Sequence, residues 1–326
     1  MPSSSAILRP LALLAALLLL GLSACSSRGE SAAKDPSIEK QFSETEKMRQ
    51  EQKAREQQTG FLLKRFDDAL NAYHHNLQLG SGQDIATKVE SVRQLLEQEA
   101  LRFQSQLLGF LRDEEARPRW IAAAALGFSG DPKVMEALVV MLKDPVARVR
   151  ESAALGLGQL AVPYTPLDAL EERLFDPREE LPVQRSVAWC LVRLQLAKAP
   201  AEPFRRIWPE LLAGNLFRKD EILSLHGLHG LGLVGEQRFA AEAKRYLAHP
   251  RALLRQSALI ALARCGTREN ASDILPFLSQ AESAPNVRLT ARKALKHLTG
   301  NRVDHGFDLG AWRAEFGLVE QEQKDG

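Results

Sequence analysis

One pattern occurs twice in succession in this chain, as RWIAAAALG at residues 119–127 and as RESAALGLG at residues 150–158. The segment between the copies, residues 131–145, is amphipathic and has a proline near each end. Alanine is the best helix former, and its small side chain lets a neighbouring helix approach closely. The stretch therefore predicts closely packed helices, and Asp131 and Asp144, each followed by proline, are predicted N-caps.

Further copies of the frame R-x-x-A-x-x-x-L-G begin at residues 185, 224, 255 and 288, and the copy at 224 is degenerate. Successive starts are 31 to 39 residues apart, a period typical of an α-solenoid of stacked helix pairs. We therefore expect an all-α protein with about six helix pairs over residues 118–300, and with longer loops near residues 176–183 and 197–203. The second helices are expected near residues 132–143, 166–175, 203–213, 236–248 and 270–280.

The run DPVARVRESAALGLG at residues 144–158 resembles the short bacterial HEAT repeat, the type also found in phycobilin-lyase-like proteins. Residues 250–258 and 285–288 contain the same lead-in from proline to arginine. The resemblance covers about residues 118–300 and implies a scaffold. It does not imply one particular activity, because the same fold serves many functions.

The first 24 residues are predicted to be a signal peptide, with a short positive region and a Leu/Ala run too short to span a bilayer. The following Leu22-Ser23-Ala24-Cys25 resembles the lipobox of bacterial lipoproteins, which implies a lipid on Cys25 and a membrane as partner. Ser26 after the cysteine favours the outer membrane, with the chain facing the periplasm. The alternative is an ordinary signal peptide cleaved near Ala24, which would leave an incidental cysteine.

Three segments flank or precede the repeats. Residues 25–60 are rich in charge and are predicted to form a tether, either a solvated helix or disordered chain. Residues 61–117 have apolar spacings of three and four and are predicted to form a helical N-terminal cap. Residues 301–326 form a predicted C-terminal cap and tail, in which aromatic side chains cover the last repeat or, alternatively, form a ligand site. These side chains are Phe307, Trp312 and Phe316.

Histidine and cysteine provide weak candidates for chemistry. His226 and His229 are three residues apart on a predicted helix and could bind a metal, but no third ligand with suitable spacing accompanies them, and surface histidines are the alternative. Cys190 and Cys265 lie two repeats apart, and non-neighbouring repeats of a solenoid do not touch. Free buried thiols are therefore expected.

Two basic pairs on predicted second helices are the candidates for partner binding. Arg205 with Arg206, and Lys244 with Arg245, lie on helices that usually line the concave face of this architecture. They predict either a patch for an acidic partner or ordinary solvated charge.

The sequence contains no glycine-rich phosphate loop, nucleophile elbow or carboxylate pair, so no catalytic residue, cofactor or enzyme activity is predicted. The formal charge of +2, or +1 without residues 1–24, argues against nucleic-acid binding. We therefore expect a non-enzymatic, membrane-anchored periplasmic scaffold that binds an unknown envelope protein. The alternative, a phycobilin-lyase-like enzyme or accessory factor, conflicts with the export signal.

Overall fold

Fifteen α-helices and no strand are found in the residues that the computed structural model describes, namely 36–80, 82–218 and 220–318. In chain order the helices are α1 (Pro36–Gln78), α2 (Gln83–Arg102), α3 (Gln104–Phe110), α4 (Ala116–Leu126), α5 (Met135–Met141), α6 (Ala147–Leu160), α7 (Leu167–Phe175), α8 (Leu181–Leu196), α9 (Phe204–Arg218), α10 (Glu221–Val234), α11 (Ala240–Lys244), α12 (Ala252–Cys265), α13 (Ala271–Ile274), α14 (Pro285–Leu298) and α15 (Leu309–Phe316). Short 3-10 turns precede α5, α11 and α13, and one follows α13.

The chain divides into two compact units, residues 1–58 and 59–326. The described part of the first unit is the beginning of α1, and every side chain from residue 43 to residue 54 is exposed. This charged stretch of α1 therefore buries none of the side chains from residue 43 to residue 54, as expected for a solvated segment. The predicted role of residues 25–60 as a tether stays a prediction. The predicted signal peptide and Cys25 lie outside the described residues.

The second unit confirms the all-α architecture of sequential helix pairs predicted for residues 118–300. The first helices α4, α6, α8, α10, α12 and α14 each pack against the next in the series. The second helices α5, α7, α9, α11 and α13 each pack on the first helix that follows. Every predicted frame lies in a first helix, with Gly127 of the first frame as the C-cap of α4, and the second helices occur at the expected places.

Small residues bring the first helices into backbone contact. A Cβ atom at Gly127 would lie 2.5 Å from the carbonyl oxygen of Gly156, and one at Gly156 would overlap the carbonyl oxygen of Ala123. Gly127 has an ordinary right-handed φ of −58°, so its role is this close approach and not a special turn. The alanine-rich and glycine-rich frames therefore set the spacing between repeats.

Gly156→Ala is expected to lower the free energy of unfolding by about 2 kcal/mol, because the new methyl group forces α4 and α6 apart. Gly214→Ala is the matched control, since Gly214 also lies inside a helix but an added Cβ there meets nothing within 4 Å. That control should raise stability by about 0.5–1 kcal/mol. Urea unfolding measures both changes, and equal effects of the two variants would contradict the packing argument.

Arginines at the start of the first helices form a ladder of ion pairs between repeats. Each bonds a carboxylate just ahead of the next first helix, with N–O distances of 2.5–2.8 Å: Arg119 with Asp144, Arg150 with Glu179, Arg185 with Asp220, and Arg255 with Glu282. Arg150 also donates to the carbonyl oxygens of Asp144 and Pro145, just before its own helix. The arginine thereby joins two consecutive inter-helix loops.

The ladder acids also hold the turn that leads into each helix. Asp131, which bonds Gln104 and is not part of the ladder, likewise accepts a hydrogen bond from the backbone N–H of Lys133, which confirms its prediction as an N-cap. Asp144 accepts one from Val146 at 2.8 Å, but Val146 is itself the N-cap of α6. The prediction of Asp144 as an N-cap is therefore wrong, because its carboxylate caps the preceding turn while it binds Arg119.

One junction lacks the ladder pair. Ser224 stands where the other first helices have arginine, and its hydroxyl accepts a hydrogen bond from Asn215 at 2.8 Å. His249 occupies the loop before α12, where the other loops have the acid, and its Nδ1 accepts from the backbone N–H of Arg251. Both partners are absent together, so neither leaves a buried charge unpaired.

The ladder predicts that acid weakens the fold. Burial alone would raise the pKa of Glu179, but hydrogen bonds from Arg150 and from the backbone N–H of Glu180 lower it on balance. The hydrogen bond from Arg255 lowers the pKa of Glu282. A carboxylate whose pKa is lower in the folded state than its unfolded value of about 4 stabilises the fold when the pH is above that unfolded value. This stabilisation is lost as the pH falls through the folded-state pKa.

We therefore expect the free energy of unfolding in urea to fall between pH 5 and pH 3, where these carboxylates gain protons. A double variant, Arg150→Met with Glu179→Leu, removes one ladder pair and should lose less stability over that interval. Equal losses in the natural chain and the double variant would contradict the assignment.

The last repeat is covered by the helix α15. Trp312 is fully buried, and its indole N–H donates to the carbonyl oxygen of Gly306 at 3.0 Å. Phe316 stacks on Trp312, and Arg268 donates to the carbonyl oxygen of Glu315. Phe307 is 44% exposed and lies against guanidinium groups instead. Trp312 is thus the main side chain that fills the end of the array.

Candidate functional site

An open groove lies between the second helices α7 and α9. A cavity of about 710 Å³ lies at the N-terminal ends of the two helices, and one of about 250 Å³ lies farther along the same helices. On α7, Glu171 lines the first cavity and Leu174 lines the second. On α9, Arg206 lines the first cavity and Glu210 lines the second, so the two cavities are one helical turn apart. We call their combined lining the α7–α9 groove.

Apolar and rigid groups form the walls of this groove. Its wider end is bounded by the loops before α7 and α9, where the 65%-exposed ring of Tyr164 lies among prolines. The lining prolines are Pro163, Pro200 and Pro203. The narrower end is lined by apolar side chains, namely Leu174, Phe175, Leu211 and Leu223. A partner could therefore bury apolar surface here without first ordering a flexible wall.

Both loops at the wide end begin with a strained residue. Ala161 ends α6 with a φ of 50°, and Lys198 follows α8 with a φ of 70°. Left-handed backbone at a residue other than glycine costs on the order of 1 kcal/mol, and such strain is commonest at functional sites. Lys198 lies in the longer loop that the wide spacing of the repeat frames predicted near residues 197–203. The length of this loop was therefore the signal in the sequence for this end of the groove.

The predicted basic pair Arg205 and Arg206 lies at this groove, but carboxylates engage both residues. Arg206 bonds Glu171 across the groove and Glu210 along α9. Arg205 bonds Glu202 and also Glu236. These contacts keep both guanidinium groups charged, and the hydrogen bond that Arg206 donates to Glu171 raises the pKa of Arg206.

The two residues of the second predicted pair, Lys244 and Arg245, have different contacts. Lys244 forms an ion pair with Asp273 of the next repeat at 2.5 Å. Arg245 is exposed and forms no ion pair within the described ranges. Of the four predicted partner-binding residues, three therefore connect neighbouring repeats. Their role in binding a partner stays a prediction.

Carboxylates outnumber cations in the α7–α9 groove. Its lining includes four acids and one guanidinium, that of Arg206. The acids are Asp168, Glu171, Glu202 and Glu210. Sequence reasoning missed them because Glu171 and Arg206 are 35 residues apart and nothing in their local pattern indicates that they meet.

The two histidines of α10 are not joined by further metal ligands. His226 is half-buried and His229 is exposed. Burial, with a smaller contribution from His229, lowers the pKa of His226 to about 4, so its ring is neutral at pH 7. No group of three or more His, Cys, Asp or Glu side chains suited to a metal occurs in the part of the chain that the structure describes.

Both described cysteines are free and buried, as predicted. Burial raises the pKa of the Cys190 thiol, and it raises the pKa of Cys265 to about 11. A thiol that stays protonated is a poor nucleophile and a poor metal ligand. These residues therefore act as small apolar side chains of the core.

A third cavity, of about 230 Å³, lies where the end of α1 crosses the first helices. Its lining is largely apolar and includes Leu70, Phe128 and Trp189, with Tyr73 and His74 at its edge. Burial raises the pKa of Tyr73 and lowers that of His74, so both groups are neutral near pH 7. The cavity holds no charged group, which distinguishes it from the α7–α9 groove.

The predicted membrane attachment concerns residues outside the described ranges. Cys25, the predicted lipid site, is one of them, as is the whole signal peptide. Among the helices described here, none is long and apolar enough to cross a membrane.

Comparison with known proteins agrees with the helix pairs. A family model described as HEAT repeats matches residues 78–158. The match includes both copies of the pattern at residues 119–127 and 150–158, and it extends back over α2 and α3, where the sequence shows no clear frame. No curated protein matches the chain. The chain therefore contains HEAT repeats at residues 78–158, and the sequential packing of α4 through α14 is consistent with a HEAT α-solenoid.

Proposed function

We propose that this chain is a non-enzymatic HEAT-repeat scaffold for protein–protein interaction, held at a membrane in the bacterial cell envelope by a lipid on Cys25 and facing the periplasm. The observation that carries the proposal is the open, rigid-walled α7–α9 groove on the second helices. The lipobox-like Leu22–Cys25 supports the membrane anchor.

Lipid attachment can be tested with an alkyne-bearing palmitate fed to cells that express the full chain. We expect the natural chain to be labelled and to fractionate with membranes. Cys25→Ala should lose the label and the membrane association, whereas Cys190→Ala should keep both, since Cys190 is buried. Labelling that survives Cys25→Ala would contradict the anchor.

The scaffold role can be tested with a photocrosslinking amino acid placed in the groove of the full-length, membrane-bound chain. Positions 164 and 214 are both exposed and lie at opposite ends of the α7–α9 groove. Position 260 is exposed on the first helix α12 and serves as the control. We expect the two groove positions, and not position 260, to capture the same envelope protein.

Two results would contradict the scaffold. One is crosslinking that is equal at position 260 and at the groove positions, because that would indicate random collision. The other is a covalently attached chromophore in the purified protein, visible by its absorbance, because that would favour the phycobilin-lyase-like alternative.

A further inference from the structure

We infer that the α7–α9 groove binds a short basic and apolar segment of the partner protein, in which lysine or arginine side chains alternate with aliphatic ones. This inference rests on the proposed scaffold function and names the chemistry of the partner. It reverses the acidic partner that Arg205 and Arg206 suggested from sequence alone.

The excess of carboxylates in the α7–α9 groove favours a cationic segment. Asp168 is exposed and has no hydrogen bond or ion pair among the described residues. Glu171 and Glu210 share the single guanidinium of Arg206. Each carboxylate can accept several hydrogen bonds, so acceptor capacity remains after the internal contacts are made. An incoming cation would occupy it, whereas an incoming carboxylate would be repelled.

The partner of Glu202 adds to this imbalance. Arg205, which bonds Glu202, also bonds Glu236, and Glu236 has a second contact from Arg238. Both arginines, Arg205 and Arg206, are thus already committed to carboxylates of the chain. The surface that a partner meets is therefore negative although two arginines lie next to each other in the sequence.

The shape of the α7–α9 groove suits a short extended segment. Apolar side chains and carboxylates line both cavities together, with three acids in the wide cavity and Glu210 in the narrow one. The nine residues of α7 extend about 13 Å, a length matched by about four residues of extended chain. A segment of four to six residues with alternating side chains can place its aliphatic groups against the apolar side chains and its cations against the carboxylates.

Gly214 provides a way to block the groove without disturbing the core. It lies inside α9, is exposed, and lines the narrow end of the groove. A Cβ atom added there meets nothing within 4 Å, so a large side chain can extend into the groove. Gly214→Trp is therefore a steric test that changes no charge.

The test measures the fluorescence anisotropy of labelled hexapeptides with the full chain in nanodiscs of zwitterionic lipid, after subtraction of empty nanodiscs. The probes are alternating leucine–lysine, leucine–glutamate and serine–lysine peptides. We expect only leucine–lysine to bind well, because it alone supplies both apolar groups and cations. Tighter binding of the leucine–glutamate peptide would overturn the inference.

Variants locate the binding site. We expect the triple variant Asp168→Asn, Glu171→Gln, Glu202→Gln to weaken leucine–lysine binding by about tenfold or more, and Gly214→Trp to do the same. The matched control is Glu44→Gln, Glu46→Gln, Glu51→Gln, which removes three exposed charges from α1. Its binding should stay within about twofold of the natural chain. Equal weakening in the control would overturn the site.

A single-residue variant, and the comparison of peptide binding with crosslinking, distinguish failure of this inference from failure of the scaffold function. Asp168→Asn alone removes the charge of a side chain with no internal partner and keeps a residue suited to the first turn of α7, so it should weaken binding with little change in thermal unfolding. If positions 164 and 214 capture one envelope protein but no basic peptide binds, the partner chemistry inferred here is wrong while the scaffold function stands. If the peptide binds but no protein is captured, the groove chemistry stands and the scaffold function fails.

Discussion

Glu179→Ala is expected to lower the free energy of unfolding by about 3 kcal/mol, near the lower end for breaking a buried ion pair. The Glu179 side chain is fully buried, and its carboxylate meets both Arg150 and Arg173. Its removal leaves the largely buried guanidinium group of Arg150 without its carboxylate partner, whereas Arg173 keeps its contacts with Glu172 and Asp176. Urea unfolding monitored by circular dichroism measures the change.

Two controls separate this effect from a general loss of charge. Glu151→Ala breaks an exposed pair with Arg148 one turn along α6 and should cost less than about 1 kcal/mol. The double variant Arg150→Met, Glu179→Leu replaces the buried pair by apolar groups and should recover most of the lost stability. A loss after Glu151→Ala as large as that after Glu179→Ala would show that burial is not the cause.

Trp312→Ala is expected to cost about 4 kcal/mol, in the range for a large aromatic side chain removed from a core. Trp312 is fully buried beneath the last repeat, and its indole hydrogen bond to Gly306 is lost as well. Because each repeat contacts only its neighbours, the damage should be concentrated at the C-terminal end. Hydrogen exchange should speed up most in α14 and α15 and least in α4 and α6.

Phe307→Ala is the matched control for Trp312→Ala. The Phe307 ring is 44% exposed and contacts the guanidinium groups of Arg288 and Arg292. Its removal should cost about 1 kcal/mol or less, the size of a surface cation–π contact. Uniform acceleration of exchange along the whole array in Trp312→Ala would contradict a local capping role.

The sequence predicted the first helices well because the requirement on them is local and repeated. Ala122 to Ala125 are buried on all sides, as are Ala153 and Ala154, and only small residues fit there. A constraint that returns every 31 to 39 residues can be read without knowing the partner helix. The loops around α8 were predicted for the same reason, since they interrupt the period.

The contacts between repeats could be predicted only in part. Arginine is visible at the fourth or fifth residue of the first helices, yet its partner lies 25 to 35 residues away. An acid six residues before Arg119, Arg150 and Arg185 was the available signal. The α7–α9 groove has no such signal, because the contact of Glu171 with Arg206 depends on how two helices are placed side by side.

The missing ladder pair at Ser224 has a mechanical consequence. At the other junctions a largely buried arginine bonds the carboxylate ahead of the next first helix, so one repeat cannot tilt against the next without breaking charged hydrogen bonds. Between α10 and α12 that arginine is replaced by Ser224, and the ion pair that joins the repeats there, Arg251 with Glu221, is largely exposed and therefore weaker. Under a stretching force the array should therefore deform first at the junction between α10 and α12, which makes this junction more compliant than the others.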